Sequence, residues 1–147
     1  MKTILTVLLG LLLGAAPAWA VLGQRVTSVQ SDRARLRGEL RAVERQGYSV
    51  QQITAADGTV IKEYVSPAGM VFGVSWQGPA MPDLSDLLGA YFPEFQKASG
   101  TATRRHRAVA VKTDQVVVES GGHLRAFHGI AYVPGLLPSN LTPAVVQ

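Results

Sequence analysis

The stretch that decides the fold is residues 48–76, which read YSVQQITAADGTVIKEYVSPAGMVFGVSW. Three runs of it, 48–54, 59–65 and 70–76, are rich in residues that favour strands, and two short turn sequences separate them. Asp57-Gly58 predicts a tight hairpin turn, because glycine accepts the positive φ that such a turn requires. Ser66-Pro67-Ala68-Gly69 predicts a second turn, since proline fixes φ early and glycine closes the turn. Two consecutive turns predict a three-stranded antiparallel meander.

A helix is predicted before the meander. Leu36, Leu40 and Val43 recur at helical spacing, and Ser31 or Asp32 is a suitable first cap. The pattern predicts a helix from about residue 31 to residue 44.

A second helix is predicted after the meander. Asp83 is a suitable N-cap, and Pro93 is expected to end the helix. Four apolar residues between them have the spacing of one buried helical face: Leu84, Leu87, Leu88 and Tyr91.

The last part of the chain predicts a hairpin and a tail. Residues 115–120 and 123–133 have strand character, and Gly121-Gly122 between them favours a two-residue turn. From about residue 134 the chain is rich in proline and is expected to be extended. The fold class predicted from the whole pattern is α+β, a small antiparallel sheet (a meander plus a C-terminal hairpin) with two helices packed on it.

The first twenty residues have the features of a cleavable secretory signal peptide. One lysine precedes an apolar run from Ile4 to Leu13, and Ala18 and Ala20 supply the small side chains that a signal peptidase accepts. The run is too short to span a bilayer. We therefore expect cleavage after Ala20, a single mature domain over residues 21–147, and a periplasmic or secreted location.

Composition limits the chemistry. The chain has no cysteine, which excludes thiol catalysis, cysteine-ligated zinc, iron–sulfur clusters and c-type haem. It also lacks the Gly-x-Ser-x-Gly elbow of serine hydrolases, the phosphate loop and the dinucleotide fingerprint. We therefore assign no catalytic residue and expect no cofactor.

Histidine is the candidate metal ligand in this sequence. His123 and His128 are five residues apart, so a regular strand places them on opposite faces. With no cysteine and no nearby acidic residue on that strand, no metal site is predicted, and His106 does not change this.

A small recognition surface is the binding hypothesis. His123 and Arg125 are expected to share one strand face beside a glycine turn, where they are suited to hold an anionic or carboxylate group. Trp76 ends another strand and supplies aromatic area beside the basic group. In the structural alternative, Trp76 belongs to the core and Arg125 pairs with Glu63 or Glu119. The candidate binding residues are therefore Trp76, His123, Arg125 and Glu63.

Basic residues do not indicate nucleic acid. The net charge is +4, and the arginines between Arg25 and Arg45 and the run at 104–107 are interpreted as solvated faces. We expect no nucleic-acid partner and no later membrane-spanning segment.

Several sequence features together resemble the bacterial family known as domain of unknown function 2844. They are Val21-Leu22-Gly23, the stretch from Gly58 to Gly69 with its continuation through Trp76-Gln77-Gly78-Pro79 to Leu87-Leu88-Gly89, and the segment from Gly122 to Pro134. The resemblance covers nearly the whole mature chain. It implies a small exported protein of a Gram-negative bacterium and supplies no activity. Lys62 stands where the resemblance leads us to expect arginine.

Two functions remain from the sequence. The first is a non-catalytic binding or assembly module of the periplasm or cell surface, with an envelope protein or an anionic ligand as partner. The second is a small periplasmic enzyme that uses Glu63, Asp83 or His123 as acid or base. Convergence of these three side chains in one apolar cleft would favour the enzyme.

Overall fold

The computed structural model describes residues 22–26, 39–100 and 108–147. These residues form one seven-stranded antiparallel sheet and one helical stretch. The helical stretch comprises α1 (Leu84–Leu88), a 3-10 turn (Gly89–Tyr91) and α2 (Phe92–Ser99). Two more 3-10 turns, Pro134–Leu136 and Pro143–Val145, lie near the C-terminus. The strands are β1 (Glu39–Arg45), β2 (Tyr48–Thr54), β3 (Val60–Val65), β4 (Val71–Gly78), β5 (Val109–Lys112), β6 (Val117–His123) and β7 (Ala126–Tyr132).

The predicted meander is confirmed as β2, β3 and β4, each antiparallel to the next. In the first turn the Thr59 N–H donates to the Asp57 carboxylate at 2.8 Å. This bond lowers the pKa of Asp57, because it stabilises the charged form. In the second turn the Ser66 N–H donates to the Met70 carbonyl at 2.8 Å. Both turns are therefore closed by groups that the local sequence supplies.

The order of strands across the sheet is β1-β2-β3-β4-β7-β6-β5. After β4 the helical stretch carries the chain to the far edge, where β5 begins. The chain then returns through β6 to β7, which pairs with β4 in the middle of the sheet. This topology brings the end of the predicted meander next to the last strand.

The predicted fold class is wrong in its balance of helix and sheet. The structure is mainly a seven-stranded antiparallel sheet with one helical stretch, and not a small sheet with two helices packed on it. Residues 39–44 of the predicted first helix belong to β1, where Val43 lies opposite Val50. Its residues 31–38 lie outside the described part. The spacing of Leu40 and Val43 resembles a helix because β1 is an edge strand with mostly exposed side chains, which need not alternate.

The second predicted helix is confirmed at its start and wrong at its end. The Ser85 N–H donates to the Asp83 carboxylate at 2.8 Å, as expected for an N-cap. Leu87 and Leu88 are buried. Pro93 does not end the helix, because it occupies the first turn of α2, where its missing N–H has no partner to lose.

The C-terminal hairpin is confirmed, but its predicted turn is three residues too early. Gly121 and Gly122 lie within β6, and the turn is Leu124-Arg125 between the paired residues His123 and Ala126. A Cβ on Gly122 would lie 2.2 Å from the Ala126 carbonyl oxygen. This glycine therefore serves close approach of the two strands and not the turn. The strand β5 was not predicted.

The sheet has a core on each face. On the first, the helix face, α1 and α2 cover residues such as Val74, Trp76 and Val118. On the second, the tail face, the segment from Leu136 to Val146 packs on Tyr64 and Phe72. The C-terminal residues are therefore part of the packed structure, and they include 3-10 turns where an extended tail was expected. No helix within the described residues has the length and apolar character needed to cross a membrane.

Candidate functional site

The C-terminal segment covers only half of the tail face. Its last residue is fixed at the middle of the sheet, where the Gln147 main-chain oxygen accepts bonds from Tyr64 Oη, from Ser75 Oγ at 3.1 Å and from Lys62 Nζ at 3.2 Å. The Gln147 N–H donates back to Tyr64 Oη at 2.9 Å. Beyond this anchor the described residues leave the sheet surface open.

The uncovered half of the tail face forms a groove with a volume of about 470 Å³, which we call the open groove. Ligand sites in proteins commonly measure about 300–1,000 Å³. Strand alternation places most of its side chains on the face opposite the helices. Its lining residues on that face are Val60, Lys62, Ser75, Gln77, Ala108, Ala110, Glu119, Gly121, His128, Ile130 and Gln147. Four further positions also line the groove, although strand alternation turns them toward the helix face: Trp76, Val109, Ser120 and Gly129.

Small and aliphatic residues form the floor of the open groove. Gly121 is buried beneath the surface, and a Cβ there would contact the His128 ring at 3.5 Å. Ala110 is exposed, and Val60 and Ile130 are half-buried. On the β5–β6 side, Ala108, Ala110 and Gly121 have short side chains or none, which leaves space beside the longer Glu119 side chain.

One ion pair lies at the β5 edge of the open groove. Lys112 Nζ and Glu119 Oε1 are 2.9 Å apart across the β5–β6 pair. The carboxylate raises the pKa of Lys112, since it stabilises the ammonium form. Both side chains are largely exposed, so the pair contributes little to stability. It does neutralise the charge of Glu119 beside the groove.

A second cavity of about 520 Å³ continues the open groove past the end of β4, and we call it the Arg125 cavity. Gln77 and His128 line both, and they face each other as a cross-strand pair. The rest of its lining is Gly78, Pro79, Ala126, Phe127 and the exposed Arg125. The two sequence motifs around Gly78-Pro79 and Arg125 therefore meet here, because β4 and β7 are neighbours.

Arg125 has a backbone φ of 66°, in the left-handed region. It is the second residue of the two-residue turn, a position at which glycine is the favoured residue. The prediction that His123 and Arg125 share a strand face is therefore wrong. His123 ends β6, with Nδ1 at 3.3 Å from the Leu124 carbonyl oxygen, whereas Arg125 follows in the turn.

The other two candidate residues lie on the helix face. Trp76 is 2% exposed, and its ring packs so closely on Gly129 that a Cβ there would be 2.2 Å from Cζ2. Glu63 is fully buried on β3, opposite Val74. Of the predicted binding residues, the structure therefore places Arg125 and His123 at one hairpin end and sets Trp76 and Glu63 in the interior.

Acid–base groups do not converge. Glu63 lies within the sheet, Asp83 caps α1 and His123 ends β6. The described residues contain no group of three or more histidine and acidic side chains placed to hold a metal ion. His106 lies outside the described part. In the described part, the arrangement offers an extended surface for contact and no assembled acid–base set.

Lys62, His128, Ile130 and Ala110 were not singled out as binding residues from the sequence. One signal was present, since β4 alternates large residues with Gly73, Ser75 and Gln77, and this small face is the one that the groove uses. For β7, the residues that face the groove follow from the register of the β6–β7 hairpin. The turn predicted at Gly121-Gly122 gives the wrong register. The contacts of Gln147 with Tyr64 and Ser75, which border the groove, have no local signature.

The comparisons with known proteins give one match. A family model described as "Protein of unknown function (DUF2844)" matches residues 18–146, nearly the whole chain. No curated protein and no solved structure matches the chain.

Proposed function

We propose that this chain, which belongs to the DUF2844 family of unknown function, is an exported, non-catalytic binding module that holds its ligand in the open groove. One observation carries the proposal. The C-terminal segment packs on one part of the tail face, and the described residues leave another part as a groove of about 470 Å³ with a partly apolar floor. A surface of this size and character is typical of ligand sites.

The scattered acid–base groups support binding over the enzyme alternative. General acid–base catalysis needs the reacting groups within hydrogen-bond reach of one substrate. Glu63 is buried on the helix face, whereas His123 is exposed at the end of β6. None of Glu63, His123 and Asp83 lines the open groove, so a substrate bound there would not be held by these three side chains together.

Export rests on the N-terminal sequence. The apolar run and the Ala18-x-Ala20 pattern are typical of a signal peptide that is removed after Ala20. The partner is then a component of the periplasm or the cell surface, either an envelope protein or an anionic ligand. Without Lys2 the mature chain has 13 basic and 10 acidic residues, and this mildly basic net charge of +3 is compatible with the anionic class.

The test is capture of ligand from the organism's own envelope by two matched variants. Ala110→Tyr fills the open groove, and Ala42→Tyr places the same side chain on the opposite edge strand; both alanines are exposed. Wild type and Ala42→Tyr should retain the same compounds, and Ala110→Tyr should lose them. N-terminal sequencing of the preparation should give Val21 as first residue. Equal retention by all three proteins would show that the ligand does not bind in the open groove. A first residue at Met1 would contradict the proposal that the protein is exported.

A further inference from the structure

The apolar side chains that face the open groove are aliphatic, and Glu119, which lies between Ile130 and Ala110 in the strand register, is held in the ion pair with Lys112. Val60 and Ile130 are half-buried there, and Ala110 is exposed on β5. The Trp76 ring lies on the other face of the sheet against Gly129. Recognition of a sugar or a base commonly uses an aromatic platform. An aliphatic floor instead suits a flexible hydrocarbon chain, which gains mainly from removal of apolar surface from water.

Among the described residues around this surface, one ion pair neutralises its own charge and two cations have no acidic partner. Glu119 and Lys112 neutralise each other at the β5 edge. Lys62 donates to the Gln147 main-chain oxygen on the β3 side. Arg125 is exposed beside its own cavity and forms no salt bridge in the part of the chain that the structure describes. Lys62 keeps its charge but is engaged by its bond to Gln147 at the β3 side, whereas the Arg125 guanidinium is an exposed cation available to an incoming anion at the hairpin end.

The backbone of Arg125 points to a role for its side chain. Its φ of 66° is a conformation that glycine adopts at no steric cost and that a residue with a Cβ adopts unfavourably. An unfavourable backbone conformation of this kind commonly accompanies a functional residue. Arginine at this turn position is best explained by what its guanidinium contacts.

The Arg125 cavity and the open groove form one surface. Gln77 and His128 lie opposite each other on β4 and β7 and line both. Two residues further along β7, on the same face, is Ile130 in the groove floor. A ligand with its charged end at Arg125 would therefore extend past His128 onto the aliphatic floor.

We propose that this surface binds a long-chain carboxylate, with the carboxylate on the Arg125 guanidinium and the hydrocarbon chain along Ile130 and Ala110. The inference rests on the proposed binding function and names its ligand class. The guanidinium fork matches the two oxygens of a carboxylate. Gln77 supplies an amide N–H beside that end, and the open groove accommodates the chain.

The test of the ligand class is titration calorimetry of the exported protein with three probes. Dodecanoate should bind at one saturable site. Methyl dodecanoate lacks the charge and acetate lacks the hydrocarbon chain. The dissociation constant of each should therefore be higher than that of dodecanoate by about tenfold or more, which is the effect of losing one charged or apolar contact of moderate strength. Equal affinity for the ester would exclude the role of Arg125, and equal affinity for acetate would exclude the groove.

The test of the residue is Arg125→Gly. Glycine suits the left-handed turn position, so the melting temperature should be unchanged or higher. Dodecanoate affinity should nevertheless fall by about tenfold, because a charge-assisted bidentate contact is lost. Arg41→Ala removes an exposed arginine from the far edge strand and should leave the affinity unchanged. Wild-type affinity in Arg125→Gly, or an equal loss in Arg41→Ala, would overturn the proposal.

The matched tyrosine variants separate this inference from the proposed function. Ala110→Tyr should lose dodecanoate binding, whereas Ala42→Tyr should retain it. If dodecanoate fails to bind while envelope capture still depends on Ala110, the ligand class is wrong and the binding function stands. If neither depends on Ala110, both proposals are wrong.

Discussion

Single residues in this protein set how closely neighbouring strands and side chains approach. Gly129 on β7 lies under the ring of Trp76, and a Cβ there would be 2.2 Å from Cζ2 and 2.8 Å from the Glu119 carbonyl oxygen. The ring cannot move away freely, because Trp76 is 2% exposed in the helix-face core. Because Gly129 has no side chain, the large Trp76 ring can fill the middle of the core.

Gly129→Ala is expected to destabilise the protein by about 1–3 kcal/mol through overpacking of a closed core. The measurement is the urea midpoint followed by Trp76 fluorescence. Gly135→Ala is the control, since a Cβ at Gly135 meets no atom within 4 Å, and its midpoint should equal that of wild type. A midpoint for Gly129→Ala at or above the control would mean that the indole does not occupy this position.

At the scale of elements, the helical stretch is what closes the helix face. α1 begins at the Asp83 cap and presents Leu87 and Leu88 to the sheet, and α2 adds Phe95. The helices are short, so their stability comes from this packing and not from intrinsic helix propensity. The helical stretch therefore depends on the sheet beneath it for its stability.

Leu87→Ala is expected to lower the free energy of unfolding by about 2–5 kcal/mol, since the side chain is 2% exposed and its removal leaves a core cavity. Gln96→Ala in the same helical stretch is exposed and should stay within about 0.5 kcal/mol of wild type. Both are measured by urea denaturation. Similar midpoints for the two variants would contradict the assignment of the buried helical face.

At the scale of the whole molecule, the C-terminal segment joins parts of the chain that are far apart in sequence. Val146 is buried against Gly73 of β4, and Gln147 is bonded to Tyr64 of β3. These contacts complete the tail-face core and at the same time fix where the open groove begins. Stability and the position of the candidate site therefore depend on the same seven-stranded arrangement.

A double-mutant cycle tests this contact. A Cβ on Gly73 would lie 2.7 Å from a methyl group of Val146, so Gly73→Ala alone should destabilise the protein. Val146→Ala removes that methyl group. The loss of unfolding free energy in the double variant should therefore be smaller than the sum of the two single losses, by at least about 0.5 kcal/mol. The Gly135→Ala and Val146→Ala pair should be additive. Additivity in both pairs would refute the packing of Val146 on β4.

The sequence by itself determined the features that depend on neighbouring residues. The turns at Asp57-Gly58 and Ser66–Gly69 and the cap at Asp83 were all predicted, because each is closed by bonds within a few residues. The meander and the start of the helical stretch followed from them. The motifs around Gly78-Pro79 and Arg125 were also singled out, although their meeting place was not.

Only the tertiary structure decided the remaining features. β1 is a strand because β2 offers it an edge, and pairing across a sheet outweighs the helical spacing of Leu40 and Val43. The turn at Leu124-Arg125 is set by the register of β6 on β7, which a glycine pair cannot indicate when the glycines serve close approach. The border of the open groove is set by the contacts of Gln147 with Ser75 and Tyr64, a packing relation between residues more than seventy positions apart.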